Sequence, residues 1–267
     1  LLITLFLLLL CSLQLNAQDT PVWTRDINAF PDSTPVFPER VLHTDNNQIL
    51  VLSTYYNSVG TLESKIYLKK FNETGDLIWS LIYDNNGAGQ PRGFDMAIDQ
   101  NGFCYVAGGF LAGSSKPLLL KISPDGKIIW LRDSSQSFKT GYFEQVILKN
   151  EHLYLGGSSG IASYDTSGNE IWSENLPANR IAVDNKEQLI VSGGDTSGNI
   201  LFRFDKSGKR NFTDKLILGR RIVTDQFNSF YVLADLPYFL AKYDSSGNLQ
   251  WSSKAFPPSN PFGDIGL

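Results

Sequence analysis

A chain of 267 residues that is 42% hydrophobic and 19% charged carries less charge than an average globular domain, which has about 25%, and its apolar content excludes a disordered polypeptide. A formal net charge of −4 lacks the basic footprint that neutralising phosphates requires, so nucleic acid is not an expected partner.

The first ten residues, LLITLFLLLL, stay apolar through Cys11 and give way to polar NAQDT. This is the apolar segment of a secretory signal, too short for a membrane span. Ala17 is small and marks cleavage after residue 17, so 1–17 reads as a signal peptide and 18–267 as the mature domain, without a transmembrane segment. No Met, Lys or Arg precedes the apolar run, so the signal reads as incomplete at its N-terminus. A lipoprotein reading of LLLLCS requires a small residue before Cys11 and meets Leu10 instead. Once Cys11 is removed, Cys104 stands alone in the apolar run GFCYVAGG. It is expected to be a buried hydrophobe rather than a reactive thiol.

Further along, one string recurs five times: FNETGDLIWSL from Phe71, ISPDGKIIWLR from Ile122, YDTSGNEIWSE from Tyr164, FDKSGKRNFTD from Phe204 and YDSSGNLQWSS from Tyr243. Each copy has a glycine (Gly75, Gly126, Gly168, Gly208, Gly247) followed four residues later by Trp79, Trp130, Trp172, Phe212 or Trp251. The glycines are 51, 42, 40 and 39 residues apart, the period of a four-stranded propeller blade. Three residues before each glycine stands Asn72, Ser123, Asp165, Asp205 or Asp244, side chains that bond a turn backbone while glycine takes the left-handed position after it. The string therefore predicts a hairpin whose second strand carries the aromatic. A second turn recurs about 20 residues later, in TDNNQILVLS, IDQNGFCYVAG, LKNEHLYLGG, VDNKEQLIVSGG and TDQFNSFYVLA.

The blade order reads inner strand, Asx turn, second strand, variable loop, third strand, glycine turn, aromatic strand. The fold class is all-β: a propeller of four-stranded antiparallel blades, five complete, with partial strands at both ends. PVWTRDI from Pro21 aligns Trp23 with Trp172 and is expected to complete the last blade, and GDIGL at 263–267 reads as the start of an inner strand. The ring is thus expected to need further C-terminal sequence. The repeated aromatics are expected to fill the wedges between blades, with Phe212 marking the weakest joint.

The pattern apolar-x-[KR]-[FYI]-[DNS]-x-x-G-x-x-x-W, preceded by D-x-x-x-x-hydrophobic-V-x-G, resembles the bacterial seven-bladed propeller repeats of the SBBP type. Its turn-to-Trp portion is similar to the tryptophan-docking repeats of quinoprotein-like propellers, outer-membrane assembly lipoproteins among them. YVAGG and LIVSGG favour the SBBP type. The resemblance implies an exported binding or scaffold module with no single activity. Quinone catalysis would need an adjacent cysteine pair, which the chain lacks.

Two histidines, His43 and His152, lie on different repeats, so local spacing assembles no catalytic or metal-ligating set. DNNG at Asp84 and DTSGN at Asp165 fall short of a calcium loop. No catalytic residue, metal or cofactor is expected. The variable loops, YYNSVGTLES, GGFLAGSSKP, NNGAGQPRG and FPPSNPFG, form the candidate face for a protein or glycan ligand. Arg40, Arg92, Arg180 and Arg221 each precede an inner strand and could ring the loop-side channel mouth as a site for anions. The expected role is a non-enzymatic exported module at the cell envelope or outside the cell. The alternatives are an outer-membrane assembly factor and a carbohydrate-active enzyme using loop carboxylates.

Overall fold

The structure is a computed structural model that describes residues 36–57, 63–87, 89–112, 115–133, 140–195, 198–214, 219–235 and 238–254. The signal peptide, the Trp23 strand, the loop residues 58–62, 113–114 and 134–139, and the segment 255–267 lie outside the described residues.

The described strands build five four-stranded antiparallel sheets, each a meander in chain order. Blade one holds β1 (Val36–His43), β2 (Ile49–Asn57), β3 (Glu63–Phe71) and β4 (Leu77–Tyr83); blade two holds β5 (Pro91–Ile98), β6 (Cys104–Phe110), β7 (Lys116–Ile122) and β8 (Ile128–Arg132). Blade three holds β9 (Gln145–Lys149), β10 (His152–Gly157), β11 (Gly160–Asp165) and β12 (Glu170–Glu174). Blade four holds β13 (Ala178–Val183), β14 (Leu189–Asp195), β15 (Gly198–Phe204) and β16 (Arg210–Asp214), and blade five holds β17 (Gly219–Thr224), β18 (Phe230–Asp235), β19 (Tyr238–Tyr243) and β20 (Leu249–Lys254). The first strand of each blade packs against the first strand of the next, from β1 through β5, β9 and β13 to β17. Among the described residues no comparable packing joins β17 to β1.

The core is divided into four layers, one per blade interface. Leu50, Leu52 and Leu68 of blade one meet Met96, Val106 and Leu120 of blade two. On the same strands Tyr105, Ala107 and Leu119 point the other way, onto Phe143, Leu153 and Leu155 of blade three. Successive residues thus serve opposite interfaces, which is why the middle strands read as continuous apolar runs rather than alternating ones. Cys104 is buried in the first layer, where burial pushes its thiol up to about 12, as expected of a packing residue.

Each glycine turn is built as its sequence dictates. At Asp205 the Oδ1 atom accepts the N–H groups of Ser207 (2.9 Å) and Lys209 (3.0 Å), and Gly208, at φ +82°, donates to Asp205 O at 2.9 Å. The conformation is left-handed, which glycine adopts at no steric cost. The aromatic four residues later is aimed at the neighbouring blade. Trp79 covers Gly126, Trp130 covers Gly168, Trp172 covers Gly208 and Phe212 covers Gly247, each ring within 3.1 Å of where a Cβ would stand.

Two further groups reinforce these joints. The indole N–H of Trp79 donates to Pro124 O (2.9 Å) and that of Trp172 to Lys206 O (3.0 Å), both second residues of the facing turn. The basic residue of the repeat, two places before the Asx residue, reaches the same carbonyl: Lys70 to Pro124 O at 3.4 Å, Lys121 to Thr166 O at 2.9 Å, Arg203 to Ser245 O at 2.8 Å. Arg203 also reaches Ser246 O, which ties the joint that carries Phe212 instead of tryptophan. Trp251 is 43% exposed.

Candidate functional site: the loop-side channel mouth

Chain direction puts the Asx and glycine turns at one end of the blades, and the β2–β3 type loops and inter-blade connections at the other. The inner strands begin at this second end. In four of the five described blades the inner strand carries a bulge near its start, between Pro38 and Arg40, Gly93 and Asp95, Ala178 and Arg180, and Gly219 and Arg221. In blades two and four the paired strand leaves room for the incoming chain. A Cβ on Gly108 would stand 2.0 Å from Arg92 O and one on Gly193 2.3 Å from Pro177 O, so the glycine pairs of YVAGG and LIVSGG let the incoming chain press close.

The bulge decides which residues are equivalent. Arg40, Asp95, Arg180 and Arg221 are the first residues after it, paired with Leu52, Ala107, Ser192 and Leu233. In blade three Val146 pairs with Leu155 at the corresponding place. Arg92 stands three residues before Asp95, on the far side of the bulge. Of the four arginines read from the sequence, three therefore share one register, and blade two places an aspartate there.

The two halves of the mouth differ in the residues they place at this register. On blades one and two the guanidiniums are matched: Arg40 Nε lies 3.1 Å from Asp95 Oδ1, and Arg92 Nε lies 3.0 Å from Glu39 Oε1 while its guanidinium covers the Phe94 ring at 4.7 Å. Asp95 also accepts the N–H groups of Met96 (2.9 Å) and, across the blade interface, Val146 (3.1 Å). Burial raises its pKa above the ordinary carboxylate value, against the pull of the Val146 N–H, Arg40 and the Met96 N–H. Gln145 makes the next inter-blade tie, its Oε1 accepting Ile181 N–H at 2.7 Å.

On blades four and five the register position is arginine in both, Arg180 and Arg221. Arg180 donates from Nη1 to Asn179 O at 2.6 Å, its Nε is buried without a hydrogen-bond partner, and it forms no ion pair with a described residue. Burial, then the neighbouring Arg221 guanidinium, lower its pKa from the ordinary arginine value, with Glu144 opposing and Arg220 adding to the effect. Arg220 and Arg221 are exposed. Blade five thus holds an arginine close enough to Arg180 to disfavour its charged form, an effect that an anion placed beside Arg180 relieves.

Among the described residues no group of three or more His, Cys, Asp and Glu could hold a metal. His152 lies on the turn side of blade three, its Nδ1 3.4 Å from Glu187 Oε2, and His43 ends β1 in blade one. Among the described residues no helix is long and apolar enough to cross a membrane. Asp95, Gln145 and the bulge were missed from the sequence. They depend on how two strands pair, which no local string records.

No family model matches the chain, and no curated protein matches it. Solved structures do. The chain is similar to virginiamycin B lyase from Staphylococcus aureus (13% identity, 80% of this chain and 83% of that one, TM-score 0.51) and to the WD40 β-propeller domain of Doa1 (10% identity, 82% and 69%, TM-score 0.52). It is also similar to the quinohemoprotein alcohol dehydrogenase ADHIIG from Pseudomonas putida HK5 (12% identity, 83% and 44%, TM-score 0.53), spanning less than half of that enzyme's length. At these identities the likeness carries the fold alone: the chain is a β-propeller of four-stranded antiparallel blades, five of them within the described residues.

Proposed function

We propose that this propeller is an exported, non-enzymatic binding or scaffold module, working at the cell envelope or outside the cell, that takes the acidic groups of a protein or glycan at its loop-side channel mouth. The observation that carries this reading is the pairing of Arg180 with Arg221. They occupy one register on neighbouring blades, and Arg221 is the leading charged neighbour that lowers the Arg180 pKa. Guanidinium pairs of this kind suit carboxylates and sulfates, which accept planar, bidentate hydrogen bonds. Arg40 and Arg92, already matched by Asp95 and Glu39, orient the mouth rather than bind. Export is supported by the apolar segment at 1–10 and the small residue at Ala17. The repeat motif and its glycine pairs support assignment to the SBBP type.

Titration with oligogalacturonate, a chain of sugar carboxylates, tests the reading. The wild-type protein should bind it in a salt-sensitive manner, and the Arg180→Ala/Arg221→Ala double variant should lose at least about tenfold in affinity, about 1.4 kcal/mol. Equal affinity in both proteins, or no binding by the wild type, overturns it.

A further inference from the structure

On the opposite face the hairpins that join inner and second strands end in two kinds of turn. Blades one, two, four and five use five-residue turns at 44–48, 99–103, 184–188 and 225–229, begun by Thr44 or an aspartate and closed by bonds such as Asp99 N to Phe103 O (3.0 Å) and Asp225 N to Ser229 O (2.9 Å). Blade three turns on Asn150 and Glu151 alone, at φ +45° and +65°, the two left-handed residues of a type I′ hairpin. The sequence reading placed this hairpin with the other four; the structure shows it shorter.

Shortening one turn has two effects. The hairpin leans on blade four, where Lys149 Nζ donates to Asn185 Oδ1 (2.9 Å) and Asn150 Nδ2 to Glu187 Oε1 (3.0 Å). Towards blade two a cleft of about 730 Å³ opens, floored by Ile98, Phe103 and Leu148. The corresponding cleft between blades one and two, flanked by two five-residue turns, measures about 280 Å³. The larger one lies in the range of small-ligand sites, about 300–1,000 Å³.

We infer that this cleft is a binding site for a neutral saccharide, separate from the channel mouth. Its charges balance, Asp99 and Glu151 against Lys121 and Lys149, so no net field selects an ion. Asp99 is occupied by its own turn: Oδ1 accepts the N–H groups of Asn101 and Phe103, and Oδ2 accepts the Tyr105 hydroxyl at 3.0 Å. Lys149 is committed to blade four. The groups left to meet a ligand are the exposed side chains of Gln100, Asn101 and Glu151. Lys121 joins them, its ammonium fixed between Thr166 O (2.9 Å) and the Phe103 ring (4.5 Å) with further protons to donate. Planar amides and a carboxylate pair with adjacent hydroxyls, an ammonium donates to a ring or hydroxyl oxygen, and the apolar floor takes the C–H face of a sugar ring.

Isothermal titration of the full chain with neutral tetrasaccharides of glucose, xylose and N-acetylglucosamine tests this. At least one should bind saturably, and the Gln100→Ala/Glu151→Ala variant should bind it at least about tenfold more weakly. Both residues lie at exposed turn tips, and an unchanged circular dichroism spectrum establishes that the variant is folded. The Arg180→Ala/Arg221→Ala protein should bind the same sugar as well as the wild type does. Absence of binding by all three sugars, or equal affinity in the turn variant, overturns the inference. A loss confined to the arginine variant overturns it too and assigns sugar binding to the mouth.

Discussion

The indole of Trp172 lies directly against Gly208 of the next blade: a Cβ at Gly208 would stand 2.6 Å from ring atoms Cγ and Cδ2. Glycine is required there twice over, by its backbone at φ +82° and by the ring above it. Gly87 separates the two requirements, since its φ is +75° and nothing lies within 4 Å of its Cβ position. Gly87→Ala should therefore cost only the left-handed strain, about 1–2 kcal/mol, whereas Gly208→Ala adds a clash with a packed ring and should cost about 3 kcal/mol or more. Urea midpoints of the two variants check the difference, and equal costs would remove the joint from the explanation.

Trp130 offers an internal control for the indole hydrogen bond. Its Nε1 is buried with no partner, and at its joint Lys121 bonds the facing carbonyl, Thr166 O, without the indole, while Trp172 Nε1 is bonded to Lys206 O. Replacing tryptophan by phenylalanine removes similar volume at both sites but a satisfied donor at only one. Trp172→Phe should be more destabilising than Trp130→Phe by about 1 kcal/mol. A calorimetric comparison decides, and a reversed order would refute the joint's hydrogen-bonding scheme.

Arg203 is the substitute for an indole at the fourth joint. It is 7% exposed, donates to Ser245 O, Ser246 O and Asn211 Oδ1, and covers Phe212 at 5.5 Å. Arg203→Ala should lower stability by about 2–4 kcal/mol. Arg203→Lys should recover part of the loss, because one ammonium can still reach Ser245 O as Lys121 reaches its counterpart. Identical stabilities for the two variants would mean that the carbonyl bonds contribute nothing.

Acid should weaken the turns. Asp125 is lowered to about 2 by the Lys127 ammonium and then Ser123, Asp205 is lowered chiefly by the Ser207 hydroxyl, and Asp244 chiefly by the Asn248 side chain. A folded-state pKa below the unfolded value, about 3.9, contributes stability that is complete above the unfolded pKa and is lost as pH falls through the folded one. Asp95, raised by burial, works in the opposite sense. Stability should therefore fall from about pH 4 downward, and Asp244→Asn should make the fall shallower. Denaturant midpoints between about pH 6 and pH 3 test the sign.

The blades were legible because their determinants are local. Asp205, Gly208 and the aromatic at Phe212 fix turn, twist and joint within one short string, and the string repeats. The mouth was less legible because its geometry depends on how two strands pair. Arg92 and Asp95 are three residues apart, and only the bulge beside Gly108 reveals that Asp95, not Arg92, stands in register with Arg40, Arg180 and Arg221. The same holds for Asn150 and Glu151. KNEH and DNKEQ look alike as strings, and only the pairing of His152 with Lys149 shows that one hairpin has lost its longer turn.

Every joint has the same polarity: the ring belongs to the earlier blade and the glycine turn to the later one, from Trp79 over Gly126 to Phe212 over Gly247. Each repeat therefore presents a plug on one flank and a socket on the other. A duplication or deletion of one whole period returns a chain in which a ring still meets a glycine turn at each joint, while the ties particular to one joint, such as Arg203 to Ser246 O and Ile181 N–H to Gln145, re-form only where both partners are kept.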